Sequence, residues 1–525
     1  MPGSKRSGSG NARGYNADAS PGRNLRGRIK FPSLSPSLSS FLSLTLTLLG
    51  DEGAIALLGH RRNARSAVRF FLTLIIAAVA VNVPSRAARA DGAFPDAQAV
   101  LLPRDRPDEV ILATNFGLVF TQDDGATWTY SCENDQTLNG FRYVIGPPAS
   151  SGSDGGGGNG ISGDRLYAVS MPPPGLPVST DDGCSWTLAG GMLTDPSNPA
   201  QGADVFPDPS NAARVFALAV PQDPAGAPGS VYRSIDGGMT YAGPLYTPPD
   251  DGQQPTMTGV EVSASSPSTV YATWYDRTGY HPHLARSTDG GDSWSDMSIE
   301  DQLGPGKPYL AGVDPTDPRT IVLRVLSADN VASPFEGLAV THDAGQTWTL
   351  SLQLAGGTLQ GYVRRQDGSL AAIGVMPSTD GTLPTSYFFR STDAGKSWSM
   401  DALPYHAKGL AERNGTLFMA TDNFQDLVAL VSSDDGKSWK SRLRFDQISA
   451  IKSCVYAACQ RSCGTLGGLT IFPLQVCDTK ETPPPPAKGA GGCSCAAAPT
   501  GGRFAGGGGL ALALLLAARS RRRSL

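Results

Sequence analysis

Ser287-Thr288-Asp289-Gly290-Gly291-Asp292-Ser293-Trp294 is one of seven copies of a phrase, S/T-x-D-x-G-x-S/T-W, whose recurrence decides the fold. The other copies occupy 121–128, 179–186, 234–241, 341–348, 391–398 and 432–439. Their aspartates are Asp123, Asp181, Asp236, Asp343, Asp393 and Asp434, and with Asp289 they are spaced by 58, 55, 53, 54, 50 and 41 residues. A period of about fifty residues marks a modular array. An Asp carboxylate can accept hydrogen bonds from the backbone of its own tight turn, the Ser/Thr hydroxyls add local bonds, and a glycine two residues on tolerates positive φ. Those glycines are Gly125, Gly183, Gly238, Gly291, Gly345, Gly395 and Gly436. Each phrase closes on an aromatic residue, Trp128, Trp186, Tyr241, Trp294, Trp348, Trp398 or Trp439. Such a ring buries roughly 150–250 Å² against a neighbouring unit.

Working outward, each copy follows an extended run rich in β-branched and aromatic residues, such as 117–121, 231–234, 338–341, 387–391 and 427–432. A second run lies upstream, for example 109–113, 214–218, 269–273 and 320–325. One unit therefore reads as strands A, B and C, the phrase, then strand D. Four antiparallel strands in seven units predict an all-β fold, a single seven-bladed β-propeller, with unstructured N- and C-terminal extensions.

The phrase resembles the Asp box, or BNR repeat, of the sialidase and sortilin superfamily across residues 121–439. That resemblance implies a peripheral, structural role for the boxed residues, because in those families the box lies away from any active site. Fold alone assigns no chemistry. The box also lacks the dense run of oxygen ligands of a calcium loop, so no metal is expected there.

The ends of the chain speak about location. Arginines at 61, 62, 65 and 69 precede an apolar stretch at 70–81, and Ala88-Arg89-Ala90 offers a small-x-small cleavage site. Residues 65–90 read as a secretory signal peptide cleaved after Ala90. Residues 1–64 read as an unstructured extension from a mis-assigned upstream start. Beyond the propeller, assigned to 91–450, come a Cys-rich closing segment (451–478), a Pro/Gly-rich stalk (479–498) and a hydrophobic segment with terminal arginines (499–525). Cys493 and Cys495, the apolar run and the arginine cluster together resemble a myxobacterial C-terminal sorting signal. This implies processing at a Cys and attachment of an exported body to the cell surface or outer membrane, the C-terminal segment being its one membrane contact. Terminal arginines staying cytoplasmic agree with that orientation.

Removing both ends changes the charge. Residues 1–90 hold 13 Lys+Arg and 3 Asp+Glu, and the tail after Gly491 holds 5 Arg, which leaves 25 basic against 44 acidic residues in the body. A balance of −19 argues against nucleic acid as a partner. Cys132 follows strand D of blade 1 and Cys184 lies in the second phrase, so neighbouring blades are expected to join them as a disulfide. Cys454, Cys459, Cys463 and Cys477 allow three pairings.

In an A-B-C-D blade the A–B and C–D turns share one face, so the B–C loops and D–A links share the other. Loops on a rigid scaffold gather binding residues. The richest B–C loop, at 274–283, supplies Tyr275, Asp276, Arg277, Tyr280, His281 and His283, aromatic surface beside polar partners. Asp329, Asn330, Phe335, Glu336, Asn423, Phe424 and Asp426 rank second.

A glycoside hydrolase, either sialidase-like or similar to the seven-bladed glucan hydrolases, stands as the alternative, since Asp-box propellers include such enzymes and glycoside cleavage needs two carboxyl groups across the bond. The resemblance to sialidases is incomplete. Phe141-Arg142-Tyr143 lacks the Ile-Pro of the F/Y-R-I-P phrase, Arg364 and Arg365 are adjacent, Arg324 is isolated, and seven boxes exceed six blades. A monomeric, cofactor-free binding or scaffold module for an extracellular glycan or protein is the favoured expectation. Two further features are read as structure alone: Asn414-Gly415-Thr416 as a turn rather than a glycosylation site, and 150–163 as a Gly/Ser-rich insertion.

Overall fold

The structure, a computed structural model, describes residues 96–482 except 133–139, 148–164, 171–174, 192, 194–199, 222–227, 251, 379–382, 426 and 469–470. Ala90, Cys493 and Cys495, with the rest of 1–95 and 483–525, lie outside the described residues. Blade 1 holds β1 (Ala97–Leu101), β2 (Val110–Thr114), β3 (Gly117–Thr121) and β4 (Trp128–Cys132). Blade 2 holds β5 (Gly140–Ile145), β6 (Leu166–Ser170), β7 (Pro177–Ser179) and β8 (Thr187–Leu188). A two-residue strand, β9 (Gly190–Gly191), precedes blade 3, built from β10 (Ala200–Pro207), β11 (Val215–Pro221), β12 (Ser230–Ser234) and β13 (Thr240–Tyr246). Blade 4 has β14 (Pro255–Val262), β15 (Val270–Asp276), β16 (Pro282–Ser287) and β17 (Ser295–Ser298), followed by the short helix α1 (Glu300–Leu303). Blade 5 has β18 (Gly306–Val313), β19 (Ile321–Ser327), β20 (Phe335–Thr341) and β21 (Thr349–Ala355). Blade 6 has β22 (Thr358–Arg364), β23 (Leu370–Met376), β24 (Thr385–Ser391) and β25 (Ser399–Leu403). Blade 7 has β26 (Ala407–Arg413), β27 (Thr416–Thr421), β28 (Ala429–Ser432) and β29 (Lys440–Leu443), after which come β30 (Ile448–Ile451) and α2 (Tyr456–Gly468).

Strands within each blade are antiparallel and in sequence order, and the seven phrases are the turns between third and fourth strands. In every phrase the first hydroxyl donates to one aspartate oxygen at 2.7–2.8 Å and accepts the glycine N–H. The second Ser/Thr donates its N–H and its hydroxyl to the two oxygens of the same carboxylate. The glycine is left-handed in all seven, and so is the residue before it: Asp124, Asp182, Gly237, Gly290, Ala344, Ala394 and Asp435.

Each closing aromatic belongs to a core shared with the preceding blade. Trp186 packs with Ile111 and Phe120 of blade 1, Trp348 with Tyr271 and Leu284 of blade 4, and Trp439 with Phe388 of blade 6. Trp128, Tyr241 and Trp348 are buried, while the other four are half-buried. The core is thus seven inter-blade layers, one per interface.

The first strand of each blade faces its counterparts around the centre. All seven carry a bulge against the second strand, at Ala97/Ala99, Gly140/Arg142, Gly202/Asp204, Met257/Gly259, Leu310/Gly312, Leu359/Gly361 and Ala407/Gly409. A bulge bends and twists its strand, which curves the inner wall. Its far side is Gly or Ala in five blades; at Gly409 a Cβ would meet the carbonyl oxygen of Gln98 at 2.6 Å. Blades 2 and 3 place Arg142 and Asp204 there instead, joined at 2.7 Å.

Blades 1 and 7 are each complete, so no strand is exchanged across their seam. The chain after blade 7 straps it: β30 adds in parallel to the outer edge of β4, and one core cluster unites Trp128, Phe418, Leu443, Phe445, Ile451 and Cys459. Lys452 lies 3.9 Å from the Phe120 ring centroid and donates to the carbonyl of Asp182 at 2.7 Å. The disulfides correct the expected Cys132–Cys184 link. They join Cys132 to Cys459, Cys184 to Cys454 and Cys463 to Cys477. Both blade cysteines face the strap because β30 and the chain leading to α2 cover that edge.

Candidate functional site

The face opposite the repeated turns carries the B–C loops. Around blade 4 the strands run further than the sequence suggests: β15 continues through Tyr275 and Asp276 and β16 begins at Pro282, leaving 277–281 as the loop. Tyr275 and Asp276 are buried, 9% and 4% exposed, so neither stands free on a loop as expected. Asp276 accepts the Gly279 N–H at 2.7 Å and braces the loop from beneath. His283 also lies in a strand. Its ring stacks on Trp274 at 3.8 Å, and its Nδ1 and the Trp274 indole N–H meet the two oxygens of Asp296.

Arg277, Tyr280 and His281 form the outward set. The Arg277 Nε donates to Thr256 Oγ1 at 2.8 Å, and its backbone N–H reaches the carbonyls of Gln253 and Gln254. His281 Nδ1 sits 2.5 Å from Glu300 of α1, and this hydrogen bond raises the imidazole pKa. The two histidines engage different carboxylates, and among the described residues no group of three or more His, Cys, Asp or Glu is placed to hold a metal.

Tyr280 is the centre of the set. Its backbone is left-handed, φ 61°, a conformation uncommon for a bulky side chain. Hydrogen bonds fix it there: its N–H donates to the Asp276 carbonyl at 3.1 Å and its own carbonyl accepts the Gly306 N–H at 2.7 Å. Its hydroxyl donates to Asp329 at 3.0 Å, which raises the phenol pKa. Lys307 donates to both oxygens of Asp329, at 2.8 and 2.9 Å, and lies 5.2 Å from the Tyr280 ring centroid. The Lys307 bond lowers the Asp329 pKa, and the Lys307 pKa is raised in return. The Tyr275 ring lies parallel to Tyr280 at a centroid distance of 6.0 Å.

Eight non-glycine residues among those described have positive φ. Five precede the glycine of a repeated turn, and Asn414 opens an Asn-Gly hairpin. The remaining two, Gln254 and Tyr280, are tied to adjacent residues of blade 4, Gln254 accepting the Arg277 N–H and Tyr280 donating to the Asp276 carbonyl.

Of the second-rank residues, Asp329 joins this cluster, Asn330 is exposed beside it, and Phe335 is half-buried in β20. Glu336 is buried and ion-paired with Arg324. Asn423 and Phe424 lie in the blade 7 loop, where the 64%-exposed Phe424 meets His406 edge to face at 5.7 Å. Asp426 lies outside the described residues. Sequence reasoning missed Lys307, Gln254 and Thr256, which come from the neighbouring strands β18 and β14 and the link before blade 4. The signal for them lies in the D–A links, which share this face with the B–C loops.

No protein-family model matches the chain, and no curated protein does. Solved structures resemble it as propellers. The GH74 xyloglucanase from Xanthomonas campestris is 15% identical, with 67% of this chain and 58% of that one covered, at a TM-score of 0.35. YCF48 from Cyanidioschyzon merolae is 16% identical, with 65% and 96% covered, at 0.42. The Hadza microbial sialidase Hz136 is 16% identical, with 44% and 55% covered, at 0.30. This chain spans less than two thirds of the xyloglucanase's length, and the propeller assignment rests on its own sheet topology.

Proposed function

We propose that this chain is an exported Asp-box propeller, attached to the cell surface through its C-terminal segment, that captures an extracellular glycan or protein without breaking bonds. The observation that carries this reading is the convergence of Tyr280 and Gln254, two left-handed residues held by hydrogen bonds on the loop face of blade 4. Strained backbone persists where surrounding structure over-determines it, and such places are enriched in binding sites. The three disulfides agree with an oxidising compartment. Tyr280, lying parallel to the buried Tyr275, the Lys307–Asp329 ion pair and the outward Arg277 present aromatic surface, donors and acceptors on a rigid scaffold, as recognition requires.

Glycoside hydrolysis is less well supported. Burial pushes Glu261 up to about 7, which suits a proton donor, and Asp204 is its charged neighbour. Asp204, however, is saturated by Arg142 and the N–H groups of Val205 and Val260. Hydrolysis needs a second carboxyl free to act on substrate.

The test is a glycan and peptide array probed with the purified full chain and its Tyr280→Ala variant. Ligands should be retained by the native chain and lost by the variant. Binding that is indifferent to Tyr280, or product release from xyloglucan or sialyl substrates that Glu261→Gln abolishes, would replace this reading.

A further inference from the structure

The face bearing the repeated turns has a concavity of its own, about 730 Å³, where the inner ends of blades 1, 5, 6 and 7 meet. That volume lies within the roughly 300–1,000 Å³ of small-ligand sites. Four arginines from three blades line it: Arg104 from the β1–β2 link, Arg364 and Arg365 from the end of β22, and Arg413 from the end of β26. Their charges are not equally neutralised. Arg364 is paired with Asp314, and Arg365 with Asp435. Arg413 instead donates to three backbone carbonyls of the β1–β2 link, the shortest at 2.7 Å to Glu109, and Arg104 is exposed. Neither Arg104 nor Arg413 forms an ion pair among the described residues, although the carboxylates of Asp124, Asp108 and Glu109 lie near enough to act on Arg413.

The two acids on the wall, Asp367 and Glu412, are engaged by neighbouring groups. Asp367 accepts the N–H and hydroxyl of Ser369 through one oxygen and lies 4.0 Å from Arg365 through the other, while Glu412 accepts the Gly415 N–H. Gln366 and Asn414 add amide groups, linked to each other across the blade 6–7 interface at 3.4 Å. Two arginines without an ion pair, set beside amide groups, stand out in a body whose balance is −19. This composition fits oxyanion recognition, since guanidinium forks match carboxylate and phosphate.

We propose that this mouth is a second binding site, distinct from the Tyr280 cluster, that takes a sugar-sized ligand bearing a carboxylate or phosphate group. Arg104 and Arg413 meet the anion, and Gln366 and Asn414 meet hydroxyls beside it. Uronic-acid sugars and sugar phosphates share this chemistry.

The experiment titrates the purified full chain with trigalacturonate, glucose 6-phosphate and neutral maltotriose, at low and high salt, by calorimetry. The charged ligands should bind, more weakly at high salt, and maltotriose should not. Arg104→Ala should weaken binding about tenfold and Arg104→Lys should restore part of it, as expected for a charge-assisted contact. Arg104 is exposed, so these variants keep the fold, which circular dichroism checks. The tighter of the two anions identifies the source. Tyr280→Ala should leave this binding unchanged, which separates it from the reading above. Equal binding of maltotriose, binding unaffected by Arg104→Glu, or no binding by either anion at millimolar concentration would overturn the proposal.

Discussion

An aspartate whose two oxygens already hold the hydroxyls and N–H of its own turn has nothing left with which to do acid–base chemistry. Hydrogen bonds from Thr347, at its side chain and its backbone, hold Asp343 at about 2, and those from Ser397 hold Asp393 at about 2. The repeated aspartates are therefore structural at the level of single atoms. The glycine that follows is constrained twice over. Gly436 has φ 75°, and a Cβ there would land on the Phe388 ring of blade 6. Gly436→Ala should cost at least about 2 kcal/mol, the sum of left-handed strain and overpacking. The exposed Ala394 is also left-handed, φ 60°, at the position before the glycine, so Ala394→Gly should change stability by less than about 1 kcal/mol. Urea unfolding of the two variants measures the contrast, and equal effects would mean that backbone conformation does not govern these turns. The glycine was readable because a fixed spacing marks it. The second left-handed position was not, because Asp, Gly and Ala all occupy it.

At the scale of the turn, the carboxylate is the hub of three hydrogen bonds, so its removal frees Thr341, the Thr347 N–H and the Thr347 hydroxyl together. Asp343→Ala should destabilise the protein by about 1–3 kcal/mol. The sign of the pH effect follows from the lowered pKa. Stability from Asp343 is complete above its unfolded value near 4 and is lost as pH falls toward about 2. Acid unfolding of Asp343→Asn should thus show a shallower slope across that window than the native chain; an unchanged slope would remove the turn from the account of acid stability. Strand order and the A-B-C-D reading were legible because alternation and the phrase punctuate each unit. The inner-strand bulges were not, since a bulge is a mismatch of register between two strands and leaves only Gly259, Gly312, Gly361 and Gly409 as its trace. The same limit applies to the site. The loop of blade 4 could be found from Tyr280 and His281, but burial of Tyr275 and Asp276 and the arrival of Lys307 depend on how two blades meet.

A ring assembled from seven whole blades must join its first to its last without sharing a strand, and here side chains and the strap together do so. Arg413 reaches the β1–β2 link, Lys408 pairs with Asp96 at 3.5 Å, Asp96 and Asp422 form a bridge, and β30 crosses onto β4. The Cys132–Cys459 bond makes the closure covalent over 327 residues, whereas Cys463–Cys477 closes only 14 within the strap. Spacing in the sequence grouped the last four cysteines with one another because it cannot show that the strap folds back over blades 1 and 2. Replacing Cys132 and Cys459 together by alanine should cost about 2–5 kcal/mol, within the range for loss of a native disulfide. The loss should also be local. Native-state hydrogen exchange reports opening in cooperative units. Amides of β1 and β26, which flank the seam, should exchange faster in the variant, while those of β18 and β19 on the far side keep their native rates. Uniform acceleration around the ring would show that the bond stabilises all blades alike, and no acceleration at β1 and β26 would show that the seam holds without it.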